Sequence, residues 1–151
     1  MKDKVMAGLT VGLLADSVKL IFNYACFSFG FTKTVFWQIA ATRFLNRDDL
    51  FKPIAYLIGA IVDLTTTAVL GVLFIFLLRL TGRAYLWIKG AGFGLVVWVG
   101  LFGTVLSQAT ATKLPSEPAT ILVAAIAHLI FGLSLALFTK LLVKPDSETW
   151  A

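Results

Sequence analysis

Histidine and cysteine each occur once in the 151 residues, at His128 and Cys26. A single cysteine permits no internal disulfide and no multi-cysteine metal site. His128 with Asp63 supplies too few ligands for zinc, so no metal and no cofactor is expected. Charge is also scarce: Asp, Glu, Lys and Arg make up 14% of the chain, against ~25% in soluble domains. No stretch sets a nucleophile beside a base, and with one histidine the acid–base options narrow further. The expectation is a protein that is not an enzyme. Long-period repeats and low-complexity segments are absent as well.

What fills the chain instead is apolar. Hydrophobic residues make up 59%, and the mean hydropathy is +0.91. A net charge of +5 would suit a nucleic-acid binder. Here the basic residues lie in short runs between apolar segments, as Lys and Arg do beside membrane spans. No basic face with aromatic platforms can be drawn, so no nucleic-acid partner is expected. The expected partner is the lipid bilayer.

A span needs ~20 mostly apolar residues. Four segments qualify, at about 5–30, 54–80, 84–108 and 118–143. Backbone polar groups must be satisfied within lipid, so the spans are helices. The fold class is therefore all-α: one integral membrane domain of four transmembrane helices. Pro53 and Pro118 suit helix starts, and Gly82 suits a stop. The N-terminal run imitates a signal peptide, but it is too long and lacks a cleavage site. It reads as a retained helix. Asn23 and Tyr24 ahead of Cys26 do not fit a lipoprotein signal.

Between the first two spans, Phe36, Trp37, Ala40, Ala41, Phe44 and Leu45 recur at helical spacing. Gln38, Thr42, Arg43, Asn46 and Arg47 fall on the other side. This predicts an amphipathic helix over about 34–46, lying in the headgroup region with Trp37 as anchor. A helix packed across the bundle end is the alternative. Tyr85 and Trp87 are further interface anchors. The tail 144–151 is polar and expected to be mobile. Lys and Arg counts near the spans divide seven to five in favour of the side holding both termini, which predicts cytoplasmic termini.

Against this apolar background one pattern stands out. Gly12, Asp16, Lys19, Asn23, Cys26 and Gly30 recur at alternating spacings of four and three, on one face of the first helix. Tyr56, Gly59, Asp63, Thr66 and Thr67 form a similar face on the second. Ala124, His128, Phe131 and Ser134 do so on the fourth. At ~1.5 Å per residue, Asp16, Asp63 and His128 lie ~14–16 Å into their helices. The hydrocarbon core is ~30 Å thick, so all three fall near its middle. Lys19 lies one turn away. Insertion costs ~2.5–3.5 kcal/mol for each central Asp or Lys, so these groups should face one another. Asp16 and Lys19 can pair along one helix. Asp63 then needs His128, Lys19, a proton or a bound cation.

Two readings follow from this layer. One is a site for a small cation, proton or polar solute, with Asn23, Tyr56, Thr66, Thr67 and Ser134 as polar lining. The other is a structural cluster that fixes helix register. Gly8 with Gly12, and Gly90 with Gly94, are close-packing pairs. They support an alternative function, a scaffold or accessory subunit binding a partner protein or lipid through small-residue faces. Four helices leave little room for a pathway within one subunit, so a homo-oligomer or a membrane partner protein is expected.

Several segments together resemble the YqhR family of uncharacterised bacterial membrane proteins. They are Gly8 and Gly12, Phe29-Gly-Phe-Thr32, the stretch from Tyr85 to Trp98 with its glycines, and Phe131-Gly132. The resemblance covers about a third of the chain. It implies four helices in a bacterial cytoplasmic membrane and carries no activity. Asp16, Lys19 and Asp63 have no counterpart in it.

Overall fold

The computed structural model describes residues 3–106, 113–114 and 117–144. Four of its helices are long and apolar enough to cross a membrane. They are α1 (Lys4–Ser28), α3 (Pro53–Thr81), α4 (Leu86–Val97) with its π-helical continuation Trp98–Leu106, and α5 (Pro118–Leu142). A short helix, α2 (Phe36–Ala41), lies between the first two spans. The chain is a polytopic all-α membrane protein.

The span boundaries follow local chemistry. The Val5 and Met6 N–H groups donate to Asp3 Oδ1 at 2.8 and 3.1 Å, so Asp3 caps α1. Pro53 and Pro118 occupy first-turn positions, where a missing N–H costs nothing. Gly82 ends α3 at φ 72°, a left-handed conformation that glycine adopts without strain. Carbonyls at three helical ends are capped by basic side chains. Lys89 Nζ donates to Thr81 and Gly82 carbonyls, and Arg83 donates to Thr139 and Val143 carbonyls. Burial lowers the Arg83 pKa from its ordinary value. Lys113 Nζ donates to Thr42 and Leu45 carbonyls just beyond α2.

α1 packs against both α3 and α5, and α4 packs against α5. Glycine faces set the two closest approaches. A Cβ on Gly8 or Gly12 would collide with the α3 backbone at Val72 or Thr67, and one on Gly71 with the Gly8 carbonyl. A Cβ on Gly90 or Gly94 would strike the backbone of Gly132 or His128. Both predicted small-residue faces are therefore spent inside the chain. α3 and α4 pack sparsely against each other. The Phe74 and Phe93 rings, 5.3 Å apart, bridge the gap between them.

The short helix expected between the first two spans is present, but it is not continuous over 34–46, and it packs against the bundle, as the alternative reading has it. It is six residues long, and Gln38 and Thr42, predicted to face outward, are buried. The reason is a tuck toward the bundle. Asn23 Oδ1, inside α1, accepts the Phe36 N–H at 2.8 Å. The Trp37 carbonyl lies where a side chain on Gly59 would be. Non-helical backbone at membrane depth is tolerated where protein buries it, and here Asn23, Gln38 and Lys113 supply its partners. Trp37 is half-buried, and its Nε1 is buried without a partner among the described residues. The third span is helical as expected and widens to π geometry at Trp98. Its predicted end at 107–108, the link from 109 to 112, residues 115–116, Lys2 and the tail 145–151 lie outside the described residues.

Candidate functional site

Asp16 and Lys19 are one turn apart on α1, and the glycine contacts of Gly8 and Gly12 draw α3 against that face. The same approach brings Asp63 to Lys19. Lys19 Nζ lies 2.6 Å from Asp16 Oδ1 and 2.7 Å from Asp63 Oδ1. It donates a hydrogen bond to Asp63, whereas the Asp16 contact is an ion pair outside hydrogen-bond geometry. Asp16 is 0%, Lys19 1% and Asp63 5% exposed. The ammonium also sits 4.1 Å from the Phe36 ring centroid, within cation–π range.

The charge in this cluster does not balance. Two carboxylates share one ammonium. Asp16 Oδ2 and Asp63 Oδ2 are buried with no hydrogen-bond partner among the described residues. A buried carboxylate oxygen left unmatched is costly, and lipid removes the option of bulk solvation.

His128 lies beside this cluster and has no ion-pair partner among the described residues. Its Nδ1 is 2.8 Å from the Ala124 carbonyl of its own helix. Its ring packs 5.5 Å from both Phe36 and Phe102. Asp63 accordingly takes Lys19 as its partner, and the imidazole joins an aromatic cluster.

The other predicted polar residues divide. Thr67 is buried and donates to the Asp63 carbonyl at 2.9 Å, one turn back along α3. Thr66 donates to the Val62 carbonyl. Both line a cavity of about 220 Å³ together with Lys19, Asp63 and His128. Asn23 is used to cap α2. Tyr56 does not belong to the cluster: it is 39% exposed and lines an apolar groove with Leu20, Ile21 and Tyr24 on another side of α1. Ser134 is buried on α5 but is not among the cavity residues. Tyr85 and Trp87 are exposed at the α3–α4 turn, where anchors are expected.

The cavity is lined by Lys19 of α1, by Val62, Asp63, Thr66, Thr67 and Leu70 of α3, and by His128 and Phe131 of α5. Val97, Leu101 and Phe102 of the third span, and Phe36, Ala40, Arg43 and Phe44, complete the lining. Those last four residues recur at helical spacing along α2 and its C-terminal turn. Sequence reading did not include these residues in the site, because it left the place of α2 open between the membrane surface and the bundle end. The spacing of Phe36, Ala40, Arg43 and Phe44 was the available signal for a shared face. Among the described residues no group of three or more His, Cys, Asp or Glu could hold a metal ion. Comparison with family models, curated proteins and solved structures finds no match for this chain.

Proposed function

We propose that this polytopic membrane protein binds or conducts a proton, small cation or small polar solute at the Asp16–Lys19–Asp63 cluster. The observation that carries the reading is the charge imbalance: two buried carboxylates, one buried ammonium, and one unmatched oxygen on each acid. One added positive charge would neutralise the cluster. The cavity beside Asp63 offers that charge a place to sit. Thr66, Thr67 and His128 are its polar lining. A homo-oligomer completes the proposal, because the cavity belongs to one subunit and does not by itself cross the bilayer. The bacterial cytoplasmic membrane, with both termini on the cytoplasmic side, is the proposed location. The YqhR resemblance fits that location and assigns no activity.

The scaffold alternative has less support. The faces of Gly8, Gly12, Gly90 and Gly94 that a partner would use are occupied by α3 and α5.

The test is flux in proteoliposomes, with H⁺, Na⁺ and K⁺ gradients imposed separately. The expected result is a flux for at least one ion that falls about tenfold or more in Asp63→Asn, the scale of losing one charged hydrogen bond. No flux above empty vesicles, or an observed flux unchanged in Asp63→Asn, would count against conduction at this cluster.

A further inference from the structure

The cavity beside Asp63 has a character that the charge cluster alone does not predict. Apart from Lys19, Asp63, Arg43, His128, Thr66 and Thr67, its lining is aliphatic or aromatic. Both threonine hydroxyls already donate to backbone carbonyls. A dehydrated inorganic ion at Asp63 Oδ2 would find few further oxygens, and hard cations require several. An ammonium on an apolar body has different needs. It requires one acceptor for its N–H, aromatic faces around its charge, and apolar walls for the rest.

All three are present. Asp63 Oδ2 is a buried acceptor without a partner, on a side chain that lines the cavity. Phe36, Phe44, Phe102 and Phe131 supply the rings, while Val62, Leu70, Val97 and Leu101 supply the apolar wall. Positive groups also face the space. Lys19 is matched by two carboxylates, and Arg43 is exposed, where its charge is better screened than a buried one. At about 220 Å³ the cavity falls below the ~300–1,000 Å³ of drug-sized pockets, which limits the ligand to a small one. Packing between α3 and α4 is sparse, and the Phe74–Phe93 bridge lies one turn beyond Leu70.

We infer that this cavity binds a small organic ammonium, a protonated primary or secondary amine on an apolar body, with its N–H donated to Asp63 Oδ2. The inference rests on the cation reading above and names the class of cation. The ligand's charge restores neutrality to the cluster, and its body occupies the space lined by Leu70, Val97 and Leu101.

The experiment is equilibrium dialysis of radiolabelled 2-phenylethylammonium against the full chain in lipid nanodiscs at neutral pH. Saturable binding of one ligand per chain is expected. Asp63→Asn should weaken it about tenfold or more, the scale of one charge-assisted hydrogen bond. Thr66→Phe, which fills the cavity from its half-buried wall and leaves every charge in place, should abolish it while the unfolding midpoint is kept. Neutral 2-phenylethanol, and sodium at equal concentration, should not displace the ligand. The inference is overturned by binding no greater than to empty nanodiscs, by wild-type binding in Thr66→Phe, or by equal displacement with the alcohol or with sodium. An Asp63-dependent flux of H⁺, Na⁺ or K⁺ without ammonium binding would sink this inference and leave the broader cation reading standing.

Discussion

Lys19 decides the chemistry at the scale of single residues. Its long apolar stem can lie along the interior of the bundle while Nζ reaches two carboxylates and one aromatic ring. The sequence made this pairing partly legible. Asp16 and Lys19 are three apart, so their shared face was readable from spacing alone. Asp63 could be placed at the right depth by counting rise per residue. Its choice of Lys19 over His128 could not be read, because that depends on how α3 rotates against α1. Breaking a buried ion pair from one side costs ~3–5 kcal/mol, since it strands the remaining charge. Lys19→Met should therefore destabilise the protein by about that amount in denaturant titration in detergent micelles. Adding Asp16→Asn and Asp63→Asn to Lys19→Met should restore most of the loss. If the triple variant is no more stable than Lys19→Met alone, the stranded charge is not the cause.

The spans were the most legible elements. Length and hydropathy locate them, and proline and glycine mark several ends within a residue or two. The place of the short α2 stayed open between two readings because its amphipathic spacing fits two different burials. An apolar face can meet lipid or protein, and periodicity does not distinguish them. What settles the matter is Asn23 on α1 and Gly59 on α3, far from α2 in sequence. Substitutions at the glycines should separate packing from mere composition. Gly12→Leu and Gly59→Val place side chains where the Thr67 and Trp37 carbonyls now lie. Each should cost about 1–3 kcal/mol or more by overpacking. A side chain at Gly92 would meet no atom within 4 Å. Gly92→Ala should be neutral or slightly stabilising, by about 0.5–1 kcal/mol, because a helical glycine loses more backbone entropy than alanine. Equal losses at Gly12 and Gly92, measured by the same titration, would contradict the packing assigned to α1 and α3.

For the whole molecule, helix order governs where a ligand has access. α1 packs against α3 and α5, while α4 packs against α5 and meets α3 only sparsely. Asp16 and Lys19 of α1 are buried in this packing, and Lys19 lines a cavity shared with α3 and the third span. Pairwise helix order was not legible in the sequence, since four apolar segments of similar hydropathy carry no label for their neighbours. The glycine pairs hinted at it: Gly8 with Gly12 and Gly90 with Gly94 find Gly71 and Gly132. Binding at the cluster should couple to stability of the whole bundle, because a ligand that binds only the folded state raises its free energy of unfolding by mass action. The most direct test is the thermal unfolding midpoint of the purified protein, followed against Na⁺, K⁺, 2-phenylethylammonium and acidification in turn. The midpoint should rise with at least one of these in the wild type and stay flat in Asp63→Asn. A flat response to all four in the wild type, or the same rise in Asp63→Asn, would contradict a cation site at Asp16, Lys19 and Asp63.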